Sequence, residues 1–438
     1  MIKREKLFVL AILTFVAYNV MGQEAKSSPL INEDGSVVFK FYSPKAEKVL
    51  LKGSFIPKSL PIKTPAGVFG KDGHYEMENN NGMWTYTTTP LESEMYTYYF
   101  EVDDKRSIDP NNTDSVRDVD TYYSYFIIKN GIADNYIEQD VPHGKVSKVW
   151  YDSSITGMPK RRMSVYTPPG YKDDSEVDYP VLYLLHGSGG DENSWLELGK
   201  AAEILDNMIA KKECVPMIVV MPNGIADMEA APGENPYSDA KAKGINIESM
   251  LGKIEKAFVP DIVTYVENHY RVLKNKHGRA IAGLSLGGLH TIYITANNPD
   301  MFDYVGLFSA QTTNTLNNKK IKKVGKIAKG IDNITSSVPF LGKGKLGKKL
   351  SSFKDGIDSG ELSIYEDIDK KLKLQFKKPP KLYYIAVGRD DFVKKINDDY
   401  RLKLSDAGYK YTYHETDGGH TWENWRKYLV DFLPRLFN

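Results

Sequence analysis

Ser285 lies in Gly283-Leu284-Ser285-Leu286-Gly287, a G-x-S-x-G motif that follows the apolar Ala280-Ile281-Ala282 and opens a helix near Gly288-Leu289. A serine hydroxyl becomes a nucleophile when a neighbouring base takes its proton and an acid holds that base in place. In a strand–turn–helix, glycine on both sides lets the chain make a turn so sharp that the serine stands at the top of a sheet. The acid and then the histidine follow the serine along such a chain. Of eight histidines, three come after Ser285: His290, His414 and His420. His290 falls on the helix that the turn opens and points along it. His414 falls inside a strand spanning 411–415, where a side chain packs on a helix. His420, in Asp417-Gly418-Gly419-His420-Thr421-Trp422, occupies a loop between the last strand and the last helix. That loop belongs to the sheet edge where the serine emerges, so His420 is the expected base.

The acid should follow the penultimate strand. That strand, 381–387, ends in Gly388-Arg389-Asp390-Asp391-Phe392, and spacing leaves both Asp390 and Asp391 open. Asp417, three residues before His420, fits better as a turn residue. Stabilising a tetrahedral oxyanion needs two backbone N–H groups. Leu286 supplies one. Leu184-Leu185-His186-Gly187-Ser188-Gly189-Gly190 is the loop for the other, with Ser188 as its donor. His186 could instead read as a metal ligand, but no second ligand stands at metal spacing. Neither a metal nor an organic cofactor is expected. Trp195 and Trp422 flank the oxyanion loop and His420, where they would either line an acyl pocket or pack beneath it.

Strand-like runs at 162–167, 179–185, 217–221, 280–284, 304–309, 382–387 and 411–415 must position these groups. Helical stretches alternate with them. Over 250–269, Leu251, Ile254, Phe258, Ile262, Tyr265, Val266 and His269 recur mostly at three- and four-residue steps, an amphipathic stripe. Near-continuous apolar strands between helices predict an α/β fold, a doubly wound and mainly parallel sheet covered on both faces.

With these elements in view, a resemblance emerges. Tyr166-Thr167-Pro168-Pro169-Gly170-Tyr171, His186-Gly187-Ser188-Gly189-Gly190-Asp191-Glu192, Met221-Pro222-Asn223-Gly224, the Ser285 motif, Gly388-x-x-Asp391 and Gly418-Gly419-His420 occur in the order seen in carbohydrate esterase family 1. That branch of the α/β-hydrolases includes feruloyl and acetylxylan esterases. The resemblance covers about 140–310 and 376–438. It implies the α/β-hydrolase fold, and Asp391 rather than Asp390 as the acid, because the family pattern is Gly-x-x-Asp. The chain departs from the compact family core over 311–375.

Residues 28–130 read differently. Short strands near 37–42, 49–51, 84–88, 95–102 and 122–128, separated by turn clusters, predict a small β-sandwich. Ser43-Pro44-Lys45-Ala46, Gly82-Met83-Trp84, Tyr98-Tyr99-Phe100 and Asp109-Pro110 resemble the immunoglobulin-like, family 48 type carbohydrate-binding module. The resemblance implies glycan binding through Trp84 or Tyr99; packing is the alternative. The domain expectation is therefore a signal segment at 1–22, the β-sandwich at 28–130 and an esterase domain at 135–438.

Composition sets the outer limits. The chain has 438 residues, 58 Lys plus Arg, 57 Asp plus Glu and a net charge of +1, so phosphate neutralisation does not favour nucleic acid as a partner. Lys3, Arg4 and Lys6 precede an apolar run over 7–20, then Gly22 and Gln23, the pattern of a secretion signal too short to span a bilayer. An exported chain without stable membrane insertion is expected. One cysteine, Cys214, rules out an intramolecular disulfide. Residues 311–350 hold ten Lys and one acid, Asp332, so a basic insertion interrupts an acidic body. Its interspersed Val, Ile, Leu and Phe suggest a packed rim or lid meeting acidic polysaccharide, with a solvated surface insertion as the alternative. The expected function is a secreted serine esterase acting on acylated plant polysaccharide, feruloyl arabinoxylan first and acetylxylan second. Other members of the fold hydrolyse siderophores or thioesters, and a non-catalytic glycan-binding protein is the rival outside the enzymes. The sequence leaves oligomeric state open.

Overall fold

The computed structural model describes residues 28–57, 59–64, 67–71, 73–155, 158–174, 176–234, 251–312 and 361–438. The expected signal segment and the Lys-rich stretch from 313 onward lie outside the described residues. Backbone contacts divide the chain into two compact units, 1–134 and 135–438.

The first unit is all antiparallel β. One sheet pairs Leu30–Ile31, Val37–Tyr42, Met83–Thr87 and Glu78–Asn80 in that order. A second is built around Thr121–Ile127, Met95–Val102 and Val49–Gly53. The inward residues of both join one core: Val37, Phe39, Phe41 and Trp84 from the first sheet, and Val49, Leu51, Tyr98, Phe100 and Phe126 from the second. Phe39 meets Tyr98 edge to face at 4.9 Å between centroids. Trp84 is therefore not a glycan platform. It is 6% exposed, and its indole N–H donates to the Ser43 carbonyl at 3.0 Å. Tyr99 faces outward, with the Arg106 guanidinium 3.5 Å above its ring.

The second unit carries an eight-stranded sheet: β1 (Lys145–Asp152), β2 (Lys160–Thr167), β3 (Val181–Leu185), β4 (Ile218–Pro222), β5 (Arg279–Leu284), β6 (Tyr304–Phe308), β7 (Leu382–Gly388) and β8 (Thr412–Thr416). The spatial order is β1-β2-β4-β3-β5-β6-β7-β8. β2 runs antiparallel to β1 and β4, and every later pairing is parallel. β3 through β6 are wholly buried runs, as a sheet covered on both faces requires. β1 was not expected as a strand; it is a polar edge strand paired along its full length with β2.

Among the described residues, the helices longer than one turn are α1 (Ala201–Ala210), α2 (253–269), α3 (Leu286–Asn297), α4 (Ile368–Gln375), α5 (Lys394–Asp406) and α6 (Trp422–Phe432). The expected stripe of α2 buries Ile254, Phe258, Ile262 and Val266. Its middle, Phe258–Val263, widens into a π turn. Pro260 lies in that turn and has no N–H for a regular ladder. Because β4 and β5 flank β3 on opposite sides, the strand order reverses there. In open α/β sheets the crevice at such a switch, beyond the carboxyl ends of the strands, is where ligands bind.

Candidate active site

Ser285 forms the junction of β5 and α3. Its backbone is at φ 52 and ψ −113, a conformation that L residues avoid and that persists only where the surroundings impose it. The neighbouring strand supplies the constraint. Ser285 N–H donates to the Phe308 carbonyl at 2.9 Å, and Gln311 N–H donates to the Ser285 carbonyl at 3.0 Å. The two glycines are required by space. A Cβ on Gly283 would lie 2.3 Å from the Gly287 backbone, and one on Gly287 would lie 2.5 Å from the His186 carbonyl oxygen.

That last approach brings the loop after β3 against the turn. A Cβ on Gly187 would sit 3.3 Å from Cβ of Ser285, and Ser188 follows on the exposed side. Leu286 opens α3, where the first N–H groups have no intrahelical acceptor. Leu286 and the Gly187 end of the loop thus border Ser285, with Ser188 next in the chain. His186 holds the loop. Its Nε2 accepts from Gly224 N–H at 2.7 Å, so Nδ1 carries the proton and donates to the Gly187 carbonyl at 2.7 Å. Burial pushes its pKa down to about 4, which keeps the ring neutral. With both nitrogens bonded to backbone, His186 is a loop anchor and not a metal ligand.

On the other side, Nδ1 of His420 lies 3.0 Å and 3.1 Å from the two carboxylate oxygens of Asp391. Asp391 is 4% exposed, and its Oδ1 also accepts from Val393 N–H at 3.0 Å. Asp390 is exposed; its backbone N–H donates to Gly418 O and ties the two loops together. Asp417 pairs with Arg389 at the surface. His290 is buried against Glu255, with 4.0 Å between Nε2 and Oε1. His414 lies 3.5 Å from Asp431. The His420 ring packs between Phe392 and Trp425, at centroid distances of 4.4 and 5.0 Å.

The two tryptophans separate. Trp195 is 1% exposed, donates its indole N–H to the Leu185 carbonyl at 3.0 Å and meets Phe308 edge to face. It packs the floor and cannot line a pocket, which corrects that half of the expectation. Trp422, half-buried, lies across Trp195 at 5.4 Å and beside Trp425 at 5.0 Å.

A polar network behind the oxyanion loop was not anticipated. Glu192, fully buried, accepts from Arg162 Nε at 2.7 Å, Asn223 Nδ2 at 2.9 Å and Ala231 N–H at 2.9 Å. Arg162 reaches on to Glu234, which also accepts from Asn193. Burial, and next the Asp191 carboxylate, push the Glu192 pKa up. The sequence signal was an acid directly after the glycine loop, which composition alone does not separate from a solvated one.

The Esterase family model matches residues 154–436. The chain belongs to that family. This esterase-family chain is 30% identical over 305 residues to an endo-1,4-β-xylanase/feruloyl esterase of Xylanibacter ruminicola, covering 67% of this chain and 38% of that protein. It is 26% identical to an acetyl esterase of Caldicellulosiruptor saccharolyticus over 59% of this chain and 84% of the relative. The enterobactin esterase FES of Shigella flexneri superposes with a TM-score of 0.57 at 14% identity, covering 92% of this chain and 93% of that one. That likeness concerns the fold, an α/β-hydrolase sheet preceded by a β-rich unit.

Proposed function

We propose that this chain is an exported serine esterase that hydrolyses acyl esters on plant cell-wall polysaccharide, with feruloyl groups on arabinoxylan as first substrate. The observation that carries the reading is the Asp391–His420 pair at the sheet edge where Ser285 is held on a strained turn. Ser285 Oγ attacks the ester carbonyl while His420 Nε2 takes its proton. Asp391 fixes the imidazole tautomer and stabilises the cation that forms. The N–H groups of Leu286 and Ser188 receive the oxyanion. His420 then gives its proton to the departing sugar oxygen. Water, deprotonated by the same nitrogen, releases the carboxylic acid and restores the serine.

The relative named endo-1,4-β-xylanase/feruloyl esterase supports the choice of ester. The acetyl esterase relative favours acetylxylan as a second reading. Residues 1–22 act as the secretion signal; for the N-terminal unit, holding the polysaccharide and simply packing are the two readings, and truncation separates them. Under the first, a chain starting at residue 135 should keep its rate on methyl ferulate and lose action on insoluble arabinoxylan. The deciding experiment is product release from wheat-bran arabinoxylan and from acetylated xylan. Ferulate in excess supports the first reading and acetate in excess the second. Release of neither acid overturns both.

A further inference from the structure

At the opposite end of β7 from Asp391, a cleft of about 420 Å³ opens between the 376–383 segment and the 408–412 turn. Small-ligand sites span roughly 300–1,000 Å³. Phe376 and Tyr409 stack in parallel on its wall, 4.2 Å apart at 5°. Tyr383, 2% exposed, packs behind Phe376 at 5.3 Å and holds that wall. Pro380 and Tyr411 add flat apolar surface. Lys381 and Lys410 also line the cleft, and among the described residues no carboxylate does. A concave wall built on stacked aromatic rings suits the face of an arene or the C–H face of a pyranose. Two cations on a lining that holds no described carboxylate favour an anion there. β7 is seven residues long, so at roughly 3.3 Å per residue about 20 Å separates this cleft from the catalytic edge.

We propose that the cleft is a second binding site, distinct from the catalytic edge, for a carboxylate carried on a ring that can stack on aromatic side chains, either a planar arene or the C–H face of a pyranose. Two sources of that chemistry accompany the proposed substrate: a glucuronate branch on xylan and the released hydroxycinnamate. The inference borrows these sources from the proposed function, but binding itself needs no ester. A glucuronate site would hold the polymer while esters elsewhere on it reach Ser285. A hydroxycinnamate site would sense product.

The test is calorimetric titration of the full-length Ser285→Ala chain with aldotetraouronic acid, ferulate and, as the neutral control, xylotetraose. Each titration is repeated in the Lys381→Ala/Lys410→Ala and Lys381→Arg/Lys410→Arg backgrounds. At least one acidic probe should bind about tenfold tighter than xylotetraose and lose about tenfold in affinity in the double alanine background. The double arginine background should keep that affinity, and raising salt from about 20 to about 200 mM should weaken it. Loss confined to the uronic acid identifies the glycan, and loss confined to ferulate identifies the product. Equal affinities in the alanine and parent backgrounds for both acids overturn the proposal, as does absence of binding by both. The wild-type rate on methyl ferulate and on acetyl esters is measured in parallel. Lysine-dependent binding without turnover would defeat only the proposed function, and turnover without such binding would defeat only the second site.

Discussion

His420 presents Nδ1 to both oxygens of the Asp391 carboxylate, while the adjacent Asp390 contributes only backbone to the same loop. The two aspartates should therefore separate sharply. Asp391→Asn removes the acceptor that fixes the imidazole tautomer and should lower kcat on methyl ferulate by about 10⁴-fold. Asp390→Asn should leave kcat nearly unchanged. Ser285→Ala and His420→Ala should each match or exceed the Asp391 loss, because such groups act as a unit, with circular dichroism and Tm preserved. Steady-state kinetics of the four variants check this, and a larger loss in Asp390→Asn would reassign the acid.

Gly287→Ala tests the turn without touching a reacting atom. The added methyl would meet the His186 and Leu185 carbonyl oxygens at 2.5 and 2.7 Å, so backbone must move. Displacing the nucleophile by about 1 Å can cost about 10²-fold. Gly287→Ala should thus lose at least that factor in kcat, with a smaller change in KM. A variant with unchanged kcat would mean that the turn can relax at no catalytic expense.

The residues that carry the proposed chemistry were legible to different degrees. The buried strands β3 to β6 stood out because both faces are covered, leaving continuous apolar runs. β1 did not, since its exposed edge alternates Lys and Val and resembles a loop. α3 shows no stripe for the opposite reason: eleven of its twelve residues are buried, so no face is polar. Ser285 and His420 followed from motif and chain order, which are local signals. Choosing between Asp390 and Asp391 took the family resemblance, because adjacent residues in one loop differ only in which way each side chain turns. Trp195 was ambiguous for a comparable reason. Its acceptor is the carbonyl of Leu185, and nothing in the neighbouring sequence announces that bond.

His186 gives stability a defined pH dependence. Its native pKa of about 4 lies below the ordinary 6.5 because burial opposes the charged ring. Below pH 6.5 the unfolded chain takes up a proton that the native chain refuses until about pH 4. This contribution is complete above 6.5, falls as pH drops through the window and is gone below 4, about 3 kcal/mol in all. His186→Asn has no such proton to bind. Urea unfolding of wild type and variant should show a stability gap at pH 7 that narrows by about 2 kcal/mol at pH 4.5. A gap of constant size would remove His186 as the cause.

Trp195 and Trp422 should respond in different observables. Trp195→Leu empties part of the floor beneath the loop and strands the Leu185 carbonyl, so it should lower stability by about 2–4 kcal/mol. Trp422→Ala removes a half-buried ring beside the His420 loop. Under the hydroxycinnamoyl reading it should raise KM for methyl ferulate severalfold more than for an acetyl ester, with kcat little changed. Equal KM shifts for both esters would assign Trp422 to packing.

Glu192 makes the last case, since it acts on Ser285 only through the loops it joins. Three donors converge on its carboxylate, one from β2, one from the loop after β4 and one from the segment beyond it. Those bonds hold 186–193 against 223–231, and with them the expected N–H of Ser188. Glu192→Ala leaves Arg162 buried without its closest counter-charge, and breaking a buried pair from one side costs about 3–5 kcal/mol. That variant will report mainly on folding. Glu192→Gln is the sharper probe. It keeps the volume and one acceptor oxygen for both Arg162 and Ala231, but its amide N–H₂ now faces the Asn223 donor. The expected outcome is a modest drop in Tm with kcat on methyl ferulate lowered about tenfold and KM nearly constant, because a donor that works on the oxyanion is felt in the transition state and not in ground-state binding. Pairing Glu192→Gln with Arg162→Met, which removes the charge from both sides, should recover stability but not kcat. Recovery of both together would mean that the network maintains only the fold and has no part in placing Ser188.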